Sequence, residues 1–549
     1  MKTLEIPIMC AISSMAAAVA ADWPAINAAA REQAKAPVRA GEPGVRPFWN
    51  ECSKAFIHPP AFDFKEVDGA REYKFAIEGN REQSTAVEMS SRTWLAPHPW
   101  LPIPGDIWDS LAPGSYTLRV EALGADGAPL AAEAQPHFER TFYRAAVFHG
   151  PYPAAPRGYR EAAARVYAAV YNLPHVQGWL ASDDPPEGYD LYCYPAKILS
   201  SMTRALCRHA ASCGDPAEKE RALAIACRMA DWLIAHSQPG DAPLAHFPPT
   251  YWGDRRDVSV KNAGLNMLGY PAHAALAYFD LADALDSAPE AGLGTATGCV
   301  LRRAVNGAKY RAAAIAIART YVRLQGEDGT WWLKVNEANG APTRQNRLVP
   351  SRYLLGMFDR AIEALGGAGG DADALADSRD RAFAFVERGP LATWNWDGQF
   401  EDMDPMPPYH DLQKGVAIDI AVRLFALGRN DEARELVDWC EDQFTVWGDP
   451  IHHMDWQHWK TPTALEQYDY YTPIDASMGD MVRGFAAAYK ATGSPLYREK
   501  AKALADNLVR NQRADGTIPT YFDSRGGSDW VNCMVYSASC LELAADLVE

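Results

Sequence analysis

Basic side chains are the scarce charge in this chain: 53 Lys and Arg against 70 Asp and Glu leave a formal net charge of −17 over 549 residues. No run of Lys and Arg supplies the basic face that polyphosphate or an anionic membrane surface would need. Nucleic acid is thereby excluded as a partner class, and an anionic substrate would have to be gripped by a few arginines that converge locally. Paired cysteines are missing too. Ten cysteines are present and none stands in a C-x-x-C pair. Their scatter through helix-like runs (Cys207, Cys213, Cys227, Cys440, Cys540) reads as small buried side chains instead of a disulfide framework or zinc site. His452, His453 and His458 gather near Asp455, but without the H-x-x-x-H spacing that would point to a metal, and no cofactor is expected. Beyond the N-terminus no stretch is apolar for the ~18 residues a membrane span needs, which predicts a soluble mature protein.

What is present is globular: 48 % hydrophobic and 22 % charged residues, enough for one large domain and a smaller one. Residues 1–21 carry one lysine, an apolar stretch from Ile6 to Ala20 and the small-residue sequence Ala18-Val19-Ala20, which reads as a secretory signal and predicts a secreted or periplasmic protein. Residues 22–45, rich in Ala, Pro and Gly, read as a linker. From 46 to 150 the apolar period is two: Tyr73, Phe75 and Ile77 alternate with polar neighbours, as do Tyr116, Leu118 and Val120. This predicts an immunoglobulin- or fibronectin-like β-sandwich.

From 151 to 549 the pattern is helical and repetitive. Runs such as ILSSMTRALCRHAASCG, YLLGMFDRAIEALGG, AIDIAVRLFALG and MVRGFAAAYKATG end in glycine, the expected helix stop, and each is followed by a second helical run. The pairs return every ~55 to 90 residues, which predicts a mainly α domain of about six helical hairpins. Several second runs open into loops of one kind: QPGDAPLAHFPPTYWGD, QGEDGTWWLKVNEANG, WNWDGQFED and QRADGTIPTYFDSRGG. One end of the array is expected to carry these aromatic and acidic loops around a cavity.

Tandem hairpins with D-G-T-W and W-x-G-Q-F-E-D loops resemble the (α/α)6-type toroid of the six-hairpin glycosidases and of several polysaccharide lyases. The segment RPFWNECSKAFIHPPAFDF and the strands after it resemble an N-terminal module of some bacterial members. The nearest likeness is to glycoside hydrolase family 154, which implies a secreted β-glucuronidase acting on plant-type glycans. Toroids host hydrolases, lyases and epimerases alike, so the chemistry has to come from the residues.

Inverting hydrolysis needs a carboxylic acid and a carboxylate about 6.5 to 9.5 Å apart. The candidates are Glu401 and Asp402, Asp254 and Asp257, and Glu466 and Asp469, with the working pair drawn from two loops and Glu401 the expected proton donor. A uronate lyase would instead use Tyr or His, with Arg or Asn neutralising the carboxylate; its candidates are His246, Tyr251, Asn262, Tyr409 and His410. Arg255 and Arg256 follow Tyr251-Trp252, and Arg344 and Arg347 follow Trp331-Trp332, so both aromatic loops bring a guanidinium that could grip a uronic acid. Trp252, Trp331 and Trp396 are candidate sugar platforms, whereas Trp232 and Trp439, at helical spacing, are expected in the core. Gln399, His453 and Tyr470 complete the expected substrate contacts. Three classes stay open: a uronide hydrolase, a uronate lyase and a non-catalytic glycan-binding protein.

Overall fold

The computed structural model describes residues 21–38, 53–79, 92–130, 138–287, 307–343, 346–394, 414–448, 460–466, 473–522 and 529–548. The expected linker holds a helix, α1 (Trp23–Gln33), whose first turn is capped by Asp22 accepting from the Ala25 N–H at 3.2 Å. It is anchored by Asn27, which donates to the Gly150 carbonyl and accepts from the Gly150 N–H, both at 2.9 Å.

Five strands follow: β1 (Ala55–Phe56), β2 (Glu72–Gly79), β3 (Arg92–Ala96), β4 (Gly114–Leu123) and β5 (Phe138–Arg144), in sheet order β1-β5-β4-β2-β3. The period-two reading is right at strand level. Phe75 faces Val120 and Ile77 faces Leu118, all four buried on one side. A second sheet, and with it a sandwich, is not seen among the described residues. Among the described residues there is one sheet in this region, and its apolar face is closed by Phe62, Phe64, Val67 and the fully buried Trp108 of a short helix, Gly105–Asp109. The aromatic segment before β2 thus does the covering that a second sheet would do.

The long elements that follow among the described residues are helices: α2 (Tyr159–Asn172), α3 (Pro195–Ser212), α4 (Pro216–Ala235), α5 (Pro271–Asp286), α6 (Ala308–Leu324), α7 (Arg352–Ala364), α8 (Asp371–Arg388), α9 (Lys414–Ala426), α10 (Asn430–Phe444), α11 (Asp475–Thr492), α12 (Pro495–Asn511) and α13 (Val531–Val548). Their contacts close into a ring. α3, α5, α7, α9, α11 and α13 touch in that order and α13 returns to α3, while α4, α6, α8, α10, α12 and α2 each back one of them from outside. This is six helical pairs, the sixth made of the last helix and the first. Among the described residues after 160, the only named strands form short antiparallel ribbons, 265–267 with 334–336 and 445–446 with 463–464.

Inner helices are covered on most sides and read accordingly. α13, VNCMVYSASCLELAADLV, is long and apolar enough to cross a membrane by length and composition, contrary to the expectation from sequence. Its place in the ring between α11, α3 and α2 accounts for that composition. The sheet docks on the ring through α10: the Ile57 and His58 N–H groups both donate to Asp442 Oδ1, at 2.6 and 2.7 Å.

Candidate active site

All six inner helices begin at the same end of the ring, and their first two turns surround a cavity of about 270 Å³. α3 contributes Lys197, α5 His273, α7 Arg352 and Tyr353, α9 Lys414 and Asp419, α11 Ser477 and Asp480, and α13 Asn532 and Tyr536. The loops that lead from outer to inner helices complete the wall with Met267, Tyr270, Leu333, Leu348, Glu466 and Ile474. Converging helix N-termini aim partial positive charge into the space.

Its polar centre is Arg352. The guanidinium lies 3.1 Å from Asp419 and 3.9 Å from Asp480, donates to the Tyr353 hydroxyl at 2.6 Å, and its own backbone N–H donates to Asp419 Oδ2 at 2.8 Å. The Tyr536 ring lies 3.9 Å below it and the Tyr536 hydroxyl donates to Asp480 at 2.7 Å. Asp419 is also paired with Arg483.

The two aspartates are thereby driven apart. Burial alone would raise both, but Arg352 and Arg483 hold Asp419 below its ordinary value, whereas for Asp480 burial outweighs Lys414 and Arg352 and raises the carboxyl. Burial lowers Lys414 and pushes His273 well down, the latter assisted by Arg352, Lys197 and Arg204, so His273 is a neutral imidazole stacked 3.5 Å from the Tyr353 ring. Gly415 makes room for Asp480: a Cβ there would meet its Oδ2 at 3.1 Å. Ser477 Oγ and Asn532 Oδ1 are buried in the wall with no hydrogen-bond partner among the described residues, as groups awaiting a ligand would be.

Of the residues expected from sequence, Glu466 lines this cavity, its backbone carbonyl accepting from Lys414 Nζ at 2.5 Å. Tyr251 and Asn262 are not in its wall; both are near Lys334, whose Nζ donates to Asn262 Oδ1 at 3.0 Å and lies 5.7 Å from the Tyr251 ring. Others serve the scaffold. Trp331 is fully buried against Tyr321 and Phe358 and is no sugar platform. Arg255 spends its guanidinium on the carbonyls of Pro185, Pro186 and Tyr189, and Arg347 pairs with Asp328 at 2.7 Å over the Trp332 ring. Neither points a free guanidinium at the cavity. Arg256 reaches toward Asp190 at 3.9 Å; Asp254, Asp257 and His246 are exposed outside the wall, and Trp252 packs edge-on to Trp232 with 42 % of its surface open. Trp232 and Trp439 are core, as expected.

Arg344, Trp396, Gln399, Glu401, Asp402, Tyr409, His410, His453, Asp469 and Tyr470 lie outside the described residues. Among the described residues no group of three or more His, Cys, Asp or Glu is arranged to hold a metal ion, and no disulfide joins the seven described cysteines.

No family model and no curated protein matches the chain. Among solved structures it is similar to a family 76 glycoside hydrolase from a bovine Bacteroides thetaiotaomicron strain, at 10 % identity and TM-score 0.41 over 88 % of this chain and 94 % of that one. It is also similar to a D-mannose isomerase (14 %, TM-score 0.44, 70 % and 97 %) and to an unsaturated glucuronyl hydrolase specific for heparin (10 %, TM-score 0.40, 71 % and 96 %). At these identities and scores the likeness decides no activity. The ring stands on its own helix contacts.

Proposed function

We propose that the protein is a carbohydrate-processing enzyme that hydrolyses a uronic-acid linkage, of β-glucuronide type, in the cavity at the N-terminal ends of the inner helices. The observation that carries this reading is the pair of environments around Arg352, with Asp419 held ionised and Asp480 raised toward its protonated form in one polar wall. In the proposed step Asp480 gives its proton to the glycosidic oxygen as the bond to the anomeric carbon breaks, while Glu466 takes a proton from the attacking water. Glu401 and Asp402 remain the alternative carboxylates of the same proposal. Lys197, Arg352, Lys414 and the six helix ends favour a carboxylate on the sugar. Export directed by residues 1–21 belongs to the proposal as well.

A second reading has its own observation: the Tyr353 hydroxyl, hydrogen-bonded by Arg352 and stacked on neutral His273, is a phenol beside a guanidinium, as β-elimination from a uronate requires. Incubation with aryl β-glucuronide, aryl β-glucoside and uronate polymers separates the outcomes. Hydrolysis of the glucuronide with little glucoside cleavage supports the first reading. Ultraviolet-absorbing unsaturated products replace it with the second, and absence of turnover on every glycan leaves a binding protein.

A further inference from the structure

On the far side of the Arg352 layer lies a second cavity of about 150 Å³. Arg352, Tyr353, Asn532 and Tyr536 belong to both walls, and the rest of the second comes from deeper turns of the ring: Ser201, Arg204 and Arg208 of α3, Arg483 of α11, Ser539 and Cys540 of α13, and Tyr167 of α2. Four arginines line one small cavity. Arg204 is paired with Asp280 at 2.7 Å, an aspartate that also takes Arg360 at 3.3 Å, Arg352 and Arg483 share Asp419, and Arg352 also lies 3.9 Å from Asp480. Arg208 makes no ion pair among the described residues, and Glu542 lies near Tyr167 on the same rim. The three more buried guanidinium groups share their acids and the exposed Arg208 has none among the described residues, so an anion entering this cavity meets four guanidinium groups that can form charge-assisted bonds to it. The Ser201 and Ser539 hydroxyls on this wall donate to the Lys197 and Tyr536 carbonyls at 2.9 and 2.7 Å, so the donors left for an anion are the guanidinium N–H groups.

We infer that this second cavity binds a compact, doubly charged oxyanion of the phosphate class, held by the guanidinium groups of Arg204, Arg208 and Arg483. The cavity has room for one such group. Arg208 is exposed and gives the anion a route in from solvent, at the end of the ring opposite the catalytic cavity. The inference stands apart from the hydrolase reading, because it needs only the convergence of the arginines on this cavity.

The test is calorimetric titration of the full chain with inorganic phosphate at fixed ionic strength, with sodium chloride and sodium glucuronate as separate arms. Saturable phosphate binding is expected, weakened about tenfold or more in Arg208→Gln, as loss of one charge-assisted bond implies, and partly restored in Arg208→Lys. Turnover of Arg208→Gln without phosphate should equal that of the unmodified protein. Phosphate binding that is absent, matched by chloride, or indifferent to Arg208→Gln overturns the inference. Glucuronate binding that depends on Arg208 while phosphate does not bind overturns it too, since the site would then be an extension of the sugar cavity.

Discussion

Asp480 sits between Arg352, Lys414 and the Tyr536 hydroxyl, and burial still wins over both cations. Its role as an acid predicts that Asp480→Asn loses ~10²- to 10⁴-fold in kcat on a natural glucuronyl disaccharide, and much less on an aryl glucuronide whose phenol leaves without a proton. Equal losses on both would make it a structural residue. Arg255 makes the opposite case. Because it binds three backbone carbonyls, Arg255→Ala should lower stability by ~1 to 3 kcal/mol in denaturant unfolding and affect charged and neutral glycosides alike; a selective loss on uronides would return it to substrate binding. These two residues show what was legible in the sequence. Aromatic loops with nearby arginines suggested a carboxylate grip, but Trp331 and Arg347 turned inward to hold their own loop. The acids that do meet, Asp419 and Asp480, were hidden in the apolar runs AIDIAVRLF and MGDMVRGF. A lone acid in an inner-helix run was the available signal, and it has force only once the run is known to be inner.

At the scale of elements, the recurring Q-x-x-D-G-T loops explain themselves as struts. Gln325 and Gln512, at the ends of α6 and α12, each donate to the glycine carbonyl of their own loop and to a backbone carbonyl of the next outer helix, Ser378 of α8 and Ala162 of α2. Gly329 and Gly516 adopt φ of +93° and +92°, and a Cβ on either would come within 2.5 and 2.6 Å of the Arg381 and Arg165 carbonyl oxygens. Gly329→Ala and Gly516→Ala should each cost at least ~1 to 2 kcal/mol from the left-handed backbone alone, measured as a fall in Tm; an unchanged Tm in both would refute the strut. The sequence repeat was therefore readable as a motif, while its structural purpose was visible only once the neighbouring helix was in place. The docked α1 predicts a pH effect. Asp438 of α10 accepts from Gln33 at 2.6 Å and lies near His58, Lys500, Glu441 and Tyr497; burial pushes it up to about 6. A raised carboxyl favours folding while protonated, so this contribution is present below the ordinary carboxyl pKa of about 4 and is lost as pH rises through about 6. Relative to Asp438→Asn, the unmodified protein should lose stability over that window, by up to about 3 kcal/mol. A difference between the two that is flat with pH would contradict it.

The whole molecule is a closed ring because its first outer helix backs its last inner one, and closure is what brings six helix beginnings to one cavity. That number of pairs was legible from helix runs and glycine stops. The single sheet in place of a sandwich was not, because period two fixes which face of a strand is buried but not what covers it. Likewise the net charge of −17 says nothing of the cationic lining, since four basic side chains at one axis vanish in a sum over 549 residues. The central claim is that this axis processes a uronide. The most direct measurement is the ratio of kcat/KM for an aryl β-glucuronide to that for the matching β-glucoside, in the unmodified protein and in Arg352→Met. A uronide-processing axis gives a large preference for the glucuronide that collapses on substitution at Arg352, with the protein still folded by circular dichroism. A preference that survives the substitution, or a neutral glycoside cleaved as well as the charged one by the unmodified protein, would contradict it.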